Sequence, residues 1–256
     1  MNQDNLKILI LGSKPNADIG LFDIAYCANA TASYYRNELL KNNTPKSVIN
    51  FISASEMVPS TRKNSIDKEK WLNDKFARIV ISPFKKIVLY TYDIFPESIK
   101  LIKDSGFEGS LERVSLSQIK SMIKKSSKYQ LPIFTKYHIE GLSKATLKNL
   151  LRFVIEIIKS FKDKNYLCSA LFRPSTGILA LIYAINKHGE KATYTVSGIG
   201  FEERGSYPDG AKNTWSPQPN LLRYHIFVDR HLVLTLSKFY DINVKDKFYN
   251  EVISVK

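Results

Sequence analysis

One segment in the second half of the chain combines a cation, two hydroxyl groups and a flexible turn. It reads Arg173-Pro174-Ser175-Thr176-Gly177 and leads directly into the apolar run from Ile178 to Ile185. This order is typical of a turn that begins a buried helix, where backbone N–H groups and a neighbouring guanidinium attract anions. We therefore expect Arg173, Ser175 and Thr176 to hold a phosphate or a carboxylate. The alternative is that Arg173 is an ordinary surface arginine at a helix start.

A glycine-rich loop follows the next predicted strand. The β-branched segment from Ala192 to Val196 ends in Ser197-Gly198-Ile199-Gly200-Phe201, and a strand that runs into such a loop is typical of α/β folds. Open α/β sheets bind ligands at the C-terminal ends of their strands. Gly198, Ile199 and Gly200 are therefore predicted to contact a ligand.

The next segment has the composition of a long loop. From Glu202 to Leu222 it is rich in Gly, Pro, Ser and Asn, and it contains Tyr207 and Trp215. A loop of this length without its own secondary structure is usually either a functional lid or a disordered segment. The two aromatic residues favour a lid, at about residues 201–224.

Together these motifs resemble the bacterial sialyltransferases that use CMP-activated sialic acid. That family has an Arg-x-Ser/Thr-Ser/Thr-Gly turn before a helix, a strand that ends in Ser-Gly-Ile-Asp-Phe, a Gly-Ser-Tyr or Gly-Ser-Ser-Tyr in the lid, and a histidine shortly before an acidic residue of the next helix. In the same order, the corresponding residues here are Arg173–Gly177, Ser197–Phe201, Gly205-Ser206-Tyr207, His225 and Asp229. Two positions depart from the family pattern: Gly200 replaces its aspartate, and Glu202 replaces the first of its two lid tyrosines.

The resemblance implies a small, single Rossmann-like domain, a variant of the GT-A glycosyltransferase fold. It implies transfer of sialic acid or a related ulosonate from a CMP-sugar to a saccharide of a surface glycan, such as lipooligosaccharide, O-antigen or capsule. The reaction would be inverting, with His225 as general base and Tyr207 donating to the leaving phosphate. Histidine suits a base because its unperturbed pKa is about 6.5. The alternatives are that His225 only caps the next helix and that Tyr207 only packs in the lid.

Three earlier strand ends are also predicted to bind the nucleotide. They are Gly12 and Ser13 after Leu6–Leu11, Asn29 after Phe22–Cys27, and Ser53 after Ser47–Ile52. Backbone N–H groups of the first turn can hold phosphate or ribose oxygens, the resemblance gives Asn29 a nucleotide contact, and the Ser53 hydroxyl would hold cytosine or ribose. The alternative for both Asn29 and Ser53 is that the side chain caps a helix. The first turn lacks a full Gly-x-Gly-x-x-Gly, so we do not expect a NAD or FAD site.

Neither a metal ion nor a cofactor is expected to take part, because the sequence lacks the Asp-x-Asp motif of metal-dependent glycosyltransferases. Cationic and hydroxyl groups would then neutralise the leaving phosphate. Two other functions stay open. A retaining transferase of Kdo or another ulosonate would need a carboxylate nucleophile, for which Glu202, Glu203 and Asp209 are available in the lid. The second open function is that of a non-catalytic nucleotide-binding module, since a fold alone does not establish chemistry.

The charge of the chain predicts an anionic partner or surface. Lysine and arginine number 38 against 24 acidic residues, a net charge of +14. The basic residues are spread along the whole chain, whereas a nucleic-acid-binding protein would concentrate them in one stripe or module. A lipid-linked saccharide acceptor at the anionic inner face of the cytoplasmic membrane fits the charge better. The simpler alternative is that the lysines only keep the protein in solution.

The remaining composition predicts a cytoplasmic protein, attached to the membrane peripherally if at all. Cys27 and Cys168 lie in apolar contexts without metal-ligand spacing and are expected to be buried, reduced thiols. We expect neither a signal peptide nor a transmembrane helix, because the apolar runs are too short or carry charges. The sequence does not decide whether the chain forms a homo-oligomer.

Predicted strands and helices alternate along the chain. Beyond the strands named above, the pattern predicts strands at Lys86–Tyr92 and Asp241–Val244, and helices at Asp67–Ile81, Pro96–Gly106, Glu112–Lys128, Leu142–Phe161 and Ile226–Phe239. Such alternation indicates an α/β fold with a mostly parallel sheet, helices on both of its faces and a lid segment. We expect one domain over residues 1–256.

Overall fold

Seven parallel strands form one sheet in the part of the chain that the structure describes. The computed structural model describes residues 5–14, 16–29, 31–41, 47–54, 84–91, 95–140, 146–201 and 225–245. The strands are β1 (Leu6–Leu11), β2 (Ile24–Ala28), β3 (Val48–Ser53), β4 (Lys86–Thr91), β5 (Ser110–Ser115), β6 (Ala192–Ser197) and β7 (Asp241–Val244). Their order across the sheet is β5-β4-β3-β2-β1-β6-β7, and every neighbouring pair is parallel.

Eight α-helices accompany the sheet within the described residues. They are α1 (Thr31–Tyr34), α2 (Arg36–Leu40), α3 (Phe95–Asp104), α4 (Leu116–Ser127), α5 (Lys136–Glu140), α6 (Thr146–Lys162), α7 (Thr176–His188) and α8 (Ile226–Leu236). Short 3-10 turns at Ala170–Phe172 and Gly189–Lys191 precede and follow α7.

Helices cover both faces of the sheet because the central strands are apolar on both sides. In β1, Ile8 and Ile10 pack in the same cluster as residues of α4, α7 and α8, whereas Leu9 and Leu11 pack with residues of α1 and α2 on the other face. Helix α3 covers the β3–β4 part of that second face. All six residues of β3 are buried, as expected for a strand covered on both sides. The predicted α/β, Rossmann-like fold with a largely parallel sheet and two helical layers is confirmed.

The sheet has its topological switch point between β1 and β6. From β1 the chain adds β2 to β5 on one side, and it then returns to add β6 and β7 on the other. Leu11 and Ser197 are paired at the ends of the two strands, and the pairing continues from the Gly12 amide to the Ser197 carbonyl oxygen at 2.8 Å. The loops that leave β1 and β6 therefore run side by side at the edge where open α/β sheets bind ligands.

The main disagreement with the sequence analysis lies at β5. The segment Glu112–Lys128 was predicted as one helix, but residues up to Ser115 belong to the edge strand Ser110–Ser115, and α4 begins only at Leu116. The prediction was wrong because an edge strand with polar side chains has a weak alternating pattern. Ser115 ends this strand and caps α4, where its side chain accepts from the Gln118 amide and the Gln118 side chain accepts from the Ser115 amide.

Other predicted elements agree within a few residues or cannot be compared. The strands at Leu6–Leu11 and Asp241–Val244 have the predicted bounds. The predicted helix Asp67–Ile81 and nearly all of the predicted lid lie outside the described residues. Both cysteines are buried and unpaired, as predicted.

The contact between the β1 and β6 loops leaves no room for a side chain at Gly12. A Cβ atom there would collide with the backbone carbonyl of Gly198, which itself has a positive φ of 71°. We expect Gly12→Ala to lower the free energy of unfolding by about 2 to 3 kcal/mol, since a backbone clash cannot be relieved by a side-chain rotation. The control is Gly106→Ala, at a positive-φ position with open space around it, which should cost only about 1 kcal/mol. Equal losses for the two variants in urea denaturation would contradict this account of the loop contact.

Candidate functional site

Three glycines and one isoleucine bring the two central loops and the start of α7 together. The side chain of Ile199 is buried and lies where side chains on Gly12 or Gly177 would be. The Lys14 amide also donates to the Gly198 carbonyl oxygen at 2.9 Å. The loop residues predicted to bind a donor are thus contiguous with the N-terminus of α7, although the Ile199 side chain itself serves packing.

The hydroxyl groups of Ser175 and Thr176, at the start of α7, both have partners within the fold. Ser175 is the N-cap of α7, and its Oγ accepts from the Ile178 amide at 3.5 Å. The Oγ1 of Thr176 is 2.6 Å from the hydroxyl of Tyr90, at the C-terminal end of β4. These bonds fix the start of a thirteen-residue helix at the C-terminal edge of the sheet, where its macrodipole favours a negative charge.

A buried carboxylate holds the turn that precedes α7. Asp229 is only 3% exposed, and its Oδ1 accepts from the Ser175 amide at 2.8 Å. Burial raises the pKa of Asp229 to about 7, although its hydrogen bonds with the Ser175 amide and side chain and the nearby charge of Arg173 lower it. The sequence analysis did not predict this role: Asp229 binds the Arg-Pro-Ser-Thr turn.

His225 is joined to the same turn by its ring. Its Nδ1 lies 2.9 Å from the backbone carbonyl oxygen of Arg173. A carbonyl oxygen can only accept, so Nδ1 carries the proton and the lone pair of the neutral ring is on Nε2. This is the tautomer in which Nε2 can take a proton from another group. His225 is also the residue directly before α8, but its side chain makes no capping hydrogen bond to that helix.

Arg173 contributes a half-buried cation beside these groups. Its Nε is buried and has no hydrogen-bond partner within the described residues, while its charge influences the carboxylate of Asp229. An unpaired buried donor of a guanidinium is costly unless a ligand or water satisfies it. The arrangement therefore suits an anionic ligand at the N-terminus of α7.

Asn29 has both a strained backbone and an unsatisfied side chain. Its φ is 56°, its amide donates to the Phe51 carbonyl oxygen at 2.8 Å, and its buried Oδ1 has no partner in the described part of the chain. Such conformations outside glycine are concentrated at functional sites. Ser53, the last residue of β3, is buried at the same edge of the sheet. Ser13 and Gly200 are half-buried in the two central loops.

Two supporting residues were missed by the sequence analysis. The hydroxyl of Tyr35, between α1 and α2, donates to the Lys14 carbonyl oxygen at 2.6 Å and accepts from the Ala17 amide at 3.2 Å. Nε of Arg230 in α8 donates to the Phe201 carbonyl oxygen at 2.7 Å. Each fixes one of the two central loops. Neither has a sequence signal, because the contacts join residues far apart in the chain.

The predicted lid residues Tyr207, Glu202, Glu203 and Asp209 lie outside the described residues.

Within the described ranges, no three side chains of His, Cys, Asp or Glu are grouped as ligands for a metal ion. His138, buried between Thr135 and the Leu171 carbonyl oxygen, and His188, bonded to the Tyr26 hydroxyl, have structural roles.

Comparisons with known proteins give no relative from which a function can be transferred. No protein-family model, curated protein or solved structure matches the chain significantly. Among the described helices, none combines the length and apolar character needed to cross a bilayer.

The buried carboxylate predicts a pH dependence of stability. The folded protein keeps the proton of Asp229 up to about pH 7, whereas the unfolded chain loses it near pH 4. The folded state therefore binds more protons between these values, and the contribution of Asp229 to the free energy of unfolding falls as the pH rises through this window and levels off above it. An asparagine at this position would not titrate, but its side-chain oxygen would still accept from the Ser175 amide.

We expect Asp229→Asn to become more stable relative to the wild type as the pH rises from about 5 to about 7. Urea denaturation at several pH values measures the difference. The matched variant Asp241→Asn changes an exposed carboxylate that accepts from the Thr193 hydroxyl, and it should not show that trend. A pH-independent difference between Asp229→Asn and wild type would show that the carboxylate is ionised throughout.

Proposed function

We propose that the protein transfers sialic acid or a related ulosonate from a CMP-sugar to a saccharide hydroxyl, with inversion at the anomeric carbon. One observation carries the proposal: the hydrogen bond from His225 Nδ1 to the carbonyl oxygen of Arg173. It ties a group that can accept a proton to Arg173, whose buried guanidinium Nε has no hydrogen-bond partner in the part of the chain that the structure describes. A transferase that works without a metal ion needs both groups next to each other.

Each part of the site has a role in such a reaction. The Arg173 guanidinium and the N-terminus of α7 would bind the donor's phosphate or carboxylate and stabilise the negative charge of the leaving group. The loops at Gly12 and Gly198, together with the Asn29 side chain, would hold the nucleotide. The resemblance to the bacterial sialyltransferases assigns the same positions these roles and adds Tyr207 as a donor to the leaving phosphate.

The chemical step balances with these groups. The acceptor oxygen forms a bond to the anomeric carbon, and the bond from that carbon to the phosphate oxygen breaks, with its electron pair leaving on CMP. The proton of the acceptor hydroxyl passes to His225 Nε2, which the Nδ1 hydrogen bond keeps as the unprotonated nitrogen. The products are the glycoside, CMP and a protonated histidine that returns its proton to water.

His225→Asn tests the base separately from the structure, because its side-chain amide can still donate to the Arg173 carbonyl oxygen but cannot act as a base. We expect kcat for CMP release from CMP-sialic acid to fall about 10²- to 10⁴-fold, with CMP affinity retained and the acidic limb of the pH profile lost. The control is His231→Asn. His231 is a half-buried histidine of α8 that packs against Tyr129, and the variant should keep both kcat and the acidic limb. A near-normal kcat in His225→Asn would move the base elsewhere and favour a retaining reaction with Glu202, Glu203 or Asp209.

A further inference from the structure

Helix α6 exposes its apolar side to solvent. Seven of its large apolar side chains are exposed. The exposed fraction reaches 82% for Leu147 and 85% for Phe161. At about 100° per residue, the seven positions form one stripe along the helix. They are Leu147, Leu150, Leu151, Val154, Ile155, Ile158 and Phe161. Exposed apolar patches of this kind mark interaction surfaces.

The inward side of α6 fixes this orientation. Asn149 and Glu156 are both buried there. The Oε2 of Glu156 accepts from the hydroxyl of Tyr166 and from the Ser169 amide, each at 2.9 Å. Rolling the helix to bury its apolar stripe would expose these hydrogen bonds and lose the packing of Phe153. The hydrogen bonds of the buried Glu156 therefore hold α6 with its apolar stripe at the surface.

All of the exposed charged residues on α6 are cations. Lys148, Arg152, Lys159 and Lys162 are all exposed, and the only acidic residue of the helix is the buried Glu156. By helical spacing, the four cations follow one edge of the apolar stripe. Long cationic side chains beside an apolar face can reach anionic groups at the level of lipid phosphates.

We propose that α6 binds flat on the surface of a bilayer that contains anionic phospholipid, with its apolar stripe inserted and its cations on the lipid phosphates. Its 17 residues correspond to about 25 Å of helix, enough to lie in the interface plane. A second copy of the chain is a less suitable partner for this stripe than a bilayer. In a symmetric α6–α6 pair the charged residues beside the stripe would all be cations, with no exposed acidic residue of the helix to pair with them.

The surface is connected to the candidate site but does not depend on its proposed function. Phe153 of α6 lies with its ring centre 5.5 Å from that of Phe172, the residue directly before Arg173. Bilayer binding through α6 would therefore bring that site close to the membrane. Vesicle binding can be measured without any sugar donor or acceptor, so its failure is distinguishable from failure of the transferase proposal.

The experiment is flotation of the full chain with phosphatidylcholine vesicles, with and without about 30% phosphatidylglycerol. We expect binding to the anionic vesicles. The double variant Leu151→Gln/Phe161→Gln should lose at least about tenfold in partition coefficient. Its Tm should not fall, because both side chains are exposed. The control Leu21→Gln/Phe239→Gln removes exposed apolar side chains outside α6 and should bind as the wild type does.

A second pair of variants tests the cations. Arg152→Gln/Lys159→Gln should weaken binding to anionic vesicles about 25-fold, about fivefold for each lost charge. The control Lys103→Gln/Lys191→Gln removes two exposed cations outside α6 and should weaken binding much less. Equal losses in the two pairs would mean diffuse attraction by net charge and would overturn the assignment to α6.

Two further outcomes would overturn the proposal. One is the absence of wild-type binding to anionic vesicles. The other is that light scattering shows a dimer that Leu151→Gln/Phe161→Gln converts to a monomer while vesicle binding is unchanged, in which case the stripe serves a second copy of the chain.

Discussion

The close backbone approach of Gly12 and Gly198 determines where the other candidate groups lie. It occurs where the strand order of the sheet reverses, between β1 and β6, so two loops leave the same edge side by side. Ile199 extends the contact to Gly177 and thereby sets the distance of α7 from the sheet. A larger residue at Gly12 would separate the loops and displace the helix N-terminus that faces the same edge.

A second set of interactions joins the chain on either side of the predicted lid. Asp229 binds the Ser175 amide, and His225 binds the Arg173 carbonyl oxygen, across separations of 54 and 52 residues. The start of α8 is thereby fixed to the turn before α7. The buried carboxylate costs stability at neutral pH, since its pKa is raised to about 7, yet it positions the turn that carries Arg173. Residues that serve a functional site often lower the stability of the protein.

The sequence predicted the layered α/β architecture because most strands are short apolar runs followed by polar turns. It predicted the edge location of Gly12, Asn29, Ser53 and Gly198 for the same reason: each directly follows or ends a strand. It did not predict β5, where a single buried residue, Val114, gives little alternation.

Contacts between distant residues were beyond sequence reasoning. The Thr176–Tyr90 hydrogen bond spans 86 residues, and no local pattern indicates it. The helix predicted at Leu142–Phe161 corresponds to α6, Thr146–Lys162, within the described residues. Its orientation was not predicted, since burial of Glu156 depends on Tyr166 and Ser169. Local spacing defines an apolar face, while tertiary hydrogen bonds decide whether that face points inward.

The central claim is that Arg173 and the neighbouring loops form a binding site for a CMP-sugar. Calorimetric titration of CMP into the wild type and Arg173→Ala tests it most directly, with UMP, AMP and NAD as comparison ligands and with Arg152→Ala, an exposed arginine on α6, as the matched variant. The account predicts that CMP binds the wild type and Arg152→Ala equally, and that Arg173→Ala loses about 1.5 to 3 kcal/mol of binding free energy, the range for a hydrogen bond to a charged group. Equal affinity for NAD, or an unchanged CMP affinity in Arg173→Ala, would contradict it.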